Sequence, residues 1–436
     1  MEALSRDLLV RIVDLLASPV NGSDVAAFAC VNRETWDAVR ASRAYGTVRV
    51  ARDGTVHPPA SGTYDAEVAP GSSVRDAIDR VPRGGCVLLR PGFHEFRGLE
   101  ADDAVHVFGP ATSVSTVFRS LAAPIDADDE LVSVVGITFL RKVEVRAGWL
   151  RFQRCKMWNE METLCDGGAS PTFDACHFLG GGMCFLDQGT RVLVRHCVIQ
   201  HALLAVMDGA HVRMLNNHIY HSPYDNVIHV RDAGADFIGN ALFLKVPNSL
   251  GISVVGAQNA VLVESNTIVG CAGSLGMTLV NSKVCVVDNV FRNNKTSVRV
   301  NSADVDVRGN LLIGTGDGRA VEVVYRGDAV VSCNEIAHNR IAVCAVNAGR
   351  VTVEDNVVRD NAGIVGVIKG GSKIVIGRNK TSRVLCPVTI RWWHVRALAA
   401  ASAALAAIQL VCAPRNRVLY LGVMVAAGFN IAFEPY

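Results

Sequence analysis

Aromatic residues are scarce in this chain, at 6% of 436 positions, while glycine is abundant at 39. That balance excludes the aromatic-rich core of a typical globular enzyme and suits thin layers joined by many turns. An excess of charge is also missing. Forty-three basic residues meet 41 acidic ones, so neither nucleic acid nor any other polyelectrolyte is implied as a partner. The 13 cysteines include no Cys-x-x-Cys pair, which leaves disulfide frameworks and metal sites without a signature. The opening MEALSRDLLV lacks the basic-then-apolar run of a signal peptide. Together with the scattered cysteines, this favours a reducing, cytoplasmic compartment.

What the chain does have is one short phrase, apolar-x-apolar-x-x-Asn-x-apolar, returning from about Val134 to Asn379. Clear copies run through Asn266, Asn289, Asn310 and Asn356, and others centre on Asn217, Asn240, Asn334 and Asn379. Further back, Cys155, Cys176 and Cys197 take the Asn place, and Gly136 takes it in the most degraded copy. Successive spacings are 19, 21, 21, 20, 23, 26, 23, 21, 24, 22 and 23 residues. A period of that length marks a solenoid. A leucine-rich repeat would need leucines at fixed places and a helical return, and neither is present.

Each unit instead carries a second β-type run, such as Asn226–Val230, Ile252–Val255, Ala320–Val324 or Gly363–Val367, with Gly, Asn and Asp between the runs. Strand, turn, strand, turn in about 22 residues is one coil of a right-handed parallel β-helix, and successive coils pair at about 4.8 Å. At the corner, Asn is expected to adopt the left-handed backbone of a sharp bend and to bond the Asn above and below. The three cysteines form the apolar version of that stack, as small buried hydrophobes. The ladder is least regular between Asn217 and Asn266, where seven of the 12 histidines lie nearby, from His177 to His229. His201, His218, His221, Tyr224, Asp225 and His229 are therefore the candidate ligand face. Asp166, Asp187 and Asp208, spaced 21 residues apart, stack as turn residues or as acid–base groups. No cofactor and no metal is expected.

The first 43 residues have a different pattern. Leu4, Leu8, Ile12, Leu15 and Leu16 recur at helical spacing, and Ser23-Asp24 caps a second apolar stretch ending Val31-Asn32-Arg33-Glu-Thr-Trp36. So few residues bury little core alone and need a partner or the neighbouring domain. The order of these residues resembles the F-box, most specifically in Val31, Arg33 and Trp36. It departs from that pattern at Ser5, where the family has Pro, and at Asn32. The resemblance implies docking on a Skp-type adaptor of a cullin ubiquitin ligase through Leu4, Leu8, Ile12, Leu15, Val31 and Trp36. The ligase's chemistry would then lie in its other subunits. F-box chains carrying right-handed β-helix repeats are known among eukaryotes and giant viruses of amoebae. The resemblance extends to that group, with host cytoplasm as the compartment if the source is viral.

Residues 44–70 are rich in Pro and Gly and mark a linker, followed by a short helix over 72–81 with a Ser cap and a closing Pro. Helix, glycine turn, apolar strand and Pro91-Gly92 resemble the entry of pectate-lyase-like β-helices, where the helix plugs the open end. Such a plug protects a sheet edge that would otherwise pair with another chain. The sugar-cutting members of that group carry an Asn-Thr-Asp with a Gly-His-Gly, or an Arg-x-Pro-x-x-Arg, and this sequence has neither. No catalytic residue is assigned. The alternative is a carbohydrate-active lyase, hydrolase or epimerase using the His177–His229 face, and a third reading is a purely structural rod.

After Asn379 the repeat stops. Residues 397–413 and 418–433 carry no side-chain charge among Asp, Glu, Lys and Arg except Glu434 just beyond, and Arg415 and Arg417 separate them. Segment 386–436 is thus a hydrophobic helical hairpin, either a membrane anchor through 397–433 or a lid on the last coil. The expected whole is mainly β: about 12 coils over 71–385 between an F-box-like domain and this segment. It would recruit an unidentified protein target.

Overall fold

A computed structural model describes residues 49–382, apart from 51–55, 60–61, 83, 102–104, 110, 121–131, 141–142, 159–162, 221–225, 258, 272 and 370–371. The expectations for residues 1–43 and 386–436 lie outside the described residues.

The chain is mainly β and winds into a right-handed parallel β-helix. A coil has three strands, the second and third running together as one in places, as in Val290–Asn301 and Leu311–Val324. Around Asn266 they are Val261–Glu264, Thr267–Val269 and Leu275–Val280. Two strands per coil were expected. The third is the tail of the repeated phrase itself, because the corner at Asn turns the chain before Thr267 and leaves three residues to pair on a new face. Strands of the first kind stack into a 15-stranded sheet from Ala66–Val68 to Lys373–Ile376, and the other two kinds share a 23-stranded sheet. At about 4.8 Å per step the first sheet is roughly 65 Å long.

Alternation puts one side chain in two into the interior. In the first sheet Val263, Val286, Val307, Val331 and Val353 occupy one register column and are fully buried. Nearer the N-terminus the interior holds Phe152 and Phe173, stacked at 5.0 Å and 12°. A row of identical β-branched residues packs well on successive pleats, and this explains how a chain poor in aromatics fills its core.

The corner ladder is continuous. Asn217 Nδ2 donates to Asn240 Oδ1 at 2.9 Å, and the same bond recurs from Asn240 to Asn266, Asn289, Asn310, Asn334, Asn356 and Asn379 at 2.9–3.0 Å. Each Oδ1 also accepts from the backbone N–H of the preceding ladder residue, as at Asn266 N–H to Asn289 Oδ1, 2.8 Å. Each buried amide of this ladder is therefore satisfied on both sides. Cys197 N–H donates to Asn217 Oδ1 at 2.9 Å, which joins the cysteine stack to the asparagine one. Cys155, Cys176 and Cys197 are buried, and burial pushes the Cys176 thiol well above its usual pKa.

Two details of the expected corner are corrected. The left-handed residue is the one before each Asn: Asn216, Gly239, Ser265, Asp288, Gly309, Cys333 and Asp355 all have φ between 53° and 67°. The Asn side chain can face inward only because its neighbour supplies the bend. Likewise Gly136, at φ 77°, is the bend residue of its coil, and buried Ile137 holds the ladder place.

A second, shorter ladder was not foreseen. Asn339 N–H donates to Asn361 Oδ1 at 2.7 Å at the corner after the three-residue strand, and Asn294 and Ser274 stand at this corner two and three coils earlier, their side chains 3.5 Å apart. The N-terminal end is covered by α1 (Val74–Ile78), shorter than expected. Ser73 Oγ accepts the Asp76 N–H at 3.1 Å, and Val74, Ala77 and Ile78 pack into the core with Val68 and Val87. Among the described residues no helix is long and apolar enough to cross a membrane.

Candidate functional site

The histidine-rich coils separate into different faces. His218 lies on His218–Tyr220, exposed, with its ring 6.3 Å from Tyr220 and nearly parallel to it. Tyr220 in turn stacks on Phe243 of the next coil at 5.2 Å and 8°. These rings use their faces on one another and turn their edges outward, which is an aromatic ladder that stabilises adjacent coils. His177 stands in the His218 column two coils earlier, with Val198 between them. His201 is an exposed, left-handed corner residue at φ 55°.

His229 belongs to another strand, Asn226–Arg231, in the outward column between Ala205 and Ser253. Burial, and then the charge of Arg231, hold its pKa below the ordinary value, so it is neutral at pH 7. His221, Tyr224 and Asp225 lie outside the described residues. His211 and His196 face yet other partners, Asp236 at 3.4 Å and Asp174 at 3.3 Å. Asp187 and Asp208 are left-handed turn residues, and Asp166 precedes the left-handed glycines Gly167 and Gly168. Among the described residues no three His, Cys, Asp or Glu side chains gather as a metal-holding group.

A charged cluster that sequence reasoning missed lies further along the rod. The outward column that passes through His229 runs Ala205, His229, Ser253, Thr278, Arg299, Glu322, Cys344 and Gly366. Glu322 points outward yet only 6% of it is exposed. Arg299 Nε is 3.4 Å from its Oε2, and Arg319 Nη1 binds its Oε1. Arg340 and Lys295 act on exposed Asp317 of the same strand, Leu311–Val324, and Asp317 is held below its usual pKa first by the Thr315 hydroxyl, at 2.5 Å. Cys344, in register with Glu322, is buried and pushed up to about 11 by that burial, which keeps the thiol protonated and unreactive. The signal for this cluster was in the sequence. Val298-Arg299-Val300 and Val321-Glu322-Val323 are 23 residues apart, one coil, with opposite charges between buried valines.

A family model described as "right handed beta helix region" matches residues 163–312. No curated protein matches the chain. Among solved structures, a GH136 lacto-N-biosidase from Eubacterium ramulus aligns at 11% identity and TM-score 0.33, over 74% of this chain and 68% of that one. The A-module of a mannuronan C-5 epimerase from Azotobacter vinelandii aligns at 14% and 0.32, over 71% and 94%. PfbA, a surface adhesin of Streptococcus pneumoniae, aligns at 11% and 0.25, over 73% and 88%. At such scores none of the three carries an argument about activity. What stands is a right-handed parallel β-helix.

Proposed function

We propose that the chain is a recruiting rod of the cytoplasm: residues 1–43 engage a Skp-type adaptor of a cullin ligase, and the β-helix holds the protein to be ubiquitinated. The observation that carries the binding half is the unbroken, fully satisfied asparagine ladder. It locks the interior and leaves the outer columns free to change without loss of fold, as a recognition solenoid requires. The ligase half rests on Leu4, Leu8, Ile12, Leu15, Val31 and Trp36 in the F-box order. The test is capture of a Skp-type adaptor by the full chain, with Leu8→Asp combined with Trp36→Ala as the control. Capture by the wild type alone supports the reading, and no capture by the wild type sinks it.

A second reading has one observation in its favour. Trp158, 58% exposed, shares an outward column with Leu179 and Gln200, apolar and amide groups of the kind that lies against sugar rings. Incubation with acidic polysaccharides that yields new reducing ends, unsaturated ends or epimers would establish it in place of the first.

A further inference from the structure

A carboxylate buried on the outside of a solenoid calls for a physical reason. Desolvating Glu322 is costly, and the neighbouring rungs Ser253, Thr278 and Gly366 show that small neutral residues fit this column. What the carboxylate accomplishes is to fix two guanidinium groups, Arg299 from its own column and Arg319 from three residues earlier on its own strand, Leu311–Val324. Each guanidinium has five N–H donors. Glu322 engages Nε of one and Nη1 of the other, and both side chains remain about one-third exposed, at 38% and 30%. Lys295 and Arg340, both exposed, lie on the coils before and after Gly318, which packs against the Lys295 carbonyl and accepts the Arg340 N–H at 2.9 Å, so with the two arginines four cations adjoin the strand that carries Glu322 and Asp317. The cations come from three successive coils, a span of about 10 Å.

We propose that this cluster is an anion-recognition site that takes the carboxylate or phosphate groups of an acidic protein segment. Guanidinium forks held by a rigid strand suit both groups. The column alongside decides between a protein and a sugar polymer. It runs Val280, Asn301, Val324 and Val346, so two half-buried valines, Val280 and Val346, and the buried Val324 border the charged rungs. Acidic side chains with apolar ones between them match that border, whereas an acidic polysaccharide has no apolar side chain to offer it. In an extended peptide, acidic residues two apart stand about 7 Å from one another, within the span of the cations. The assignment of a protein ligand rests on the recruiting reading above.

The experiment is fluorescence anisotropy on the full chain with three labelled peptides: alternating Glu and Val, the same with phosphoserine for Glu, and the same with Gln for Glu. The first two should bind, more weakly as salt rises, and the Gln peptide should not. Arg299→Gln with Arg319→Gln should weaken binding about tenfold or more. Arg340→Gln, a change at an exposed position that leaves the fold alone, should weaken it several-fold. Arg213→Gln, exposed on the other sheet, should change nothing. The ratio of the first two affinities tells carboxylate from phosphate. Equal binding of the Gln peptide, or full binding by the double variant and by Arg340→Gln, overturns the site. Tighter binding of oligogalacturonate than of either acidic peptide overturns the protein assignment. Adaptor capture is read separately, so a failure here with capture intact removes the site and leaves the recruiting reading.

Discussion

A single ladder position shows how the rod holds its shape. Asn289 donates through Nδ2 to Val263 O, Val287 O and Asn310 Oδ1 at 2.8, 2.9 and 3.0 Å, and its Oδ1 accepts from the backbone and side chain of Asn266 at 2.8 and 3.0 Å. Asn289→Ala therefore removes a partner from both neighbouring coils and strands the Asn266 N–H where no water reaches. Leaving such groups unpaired costs about 3 kcal/mol or more. The expected outcome is a large fall in the urea midpoint of unfolding. At the end of the ladder, where Asn379 is half-exposed, Asn379→Ala should cost about 1 kcal/mol, since water replaces the lost bonds. Equal effects at the two positions would mean that the ladder is ornamental to stability.

At the scale of elements, much was legible because a strand has period 2 and a coil has period near 22, and both repeat often enough to be counted. The repeated Asn was visible for that reason. The left-handed residue before it was not, because Asn216, Ser265, Asp288, Cys333 and Asp355 share only a backbone angle and no residue type. Arg299 and Glu322 escaped notice because pairing across a coil needs the exact register, and the irregularities between Arg292 and Thr296 shift it.

The end cap was legible from its serine and proline, although the helix proved to be only Val74–Ile78. Its value lies in burial. Val74 is 1% exposed and closes the first coil, so Val74→Asp sets a carboxylate among Val68, Val87 and Ile78. A loss of about 3 kcal/mol is expected, and size-exclusion chromatography with light scattering should reveal association through the opened sheet edge. Arg75→Asp, an exposed change one residue along, is the control. Its ion pair with Asp79, at 3.9 Å and over half exposed, contributes little, so the variant should remain as the wild type.

For the whole molecule, a solenoid has stability that varies along its length, because each coil touches only its neighbours. The middle coils are sealed on both sides. The last described coil is not: Ile376 is 50% exposed, although its register partner Val353 is fully buried, and Val375 beside it is 46% exposed. A valine or isoleucine left half in water forgoes part of the burial that stabilises every earlier rung, and among the described residues the strand pairs on one side only. The free energy of local opening should then be lower by about 3 kcal/mol, which corresponds to roughly hundredfold faster amide exchange. Hydrogen exchange followed by mass spectrometry on the full chain should show Lys373–Ile376 and Lys380–Ser382 exchanging early, while Val261–Glu264 and Asp304–Arg308 stay protected. Protection at the end equal to that in the middle would refute the gradient. It would mean that this end is covered in solution, as expected if residues 386–436 form a lid.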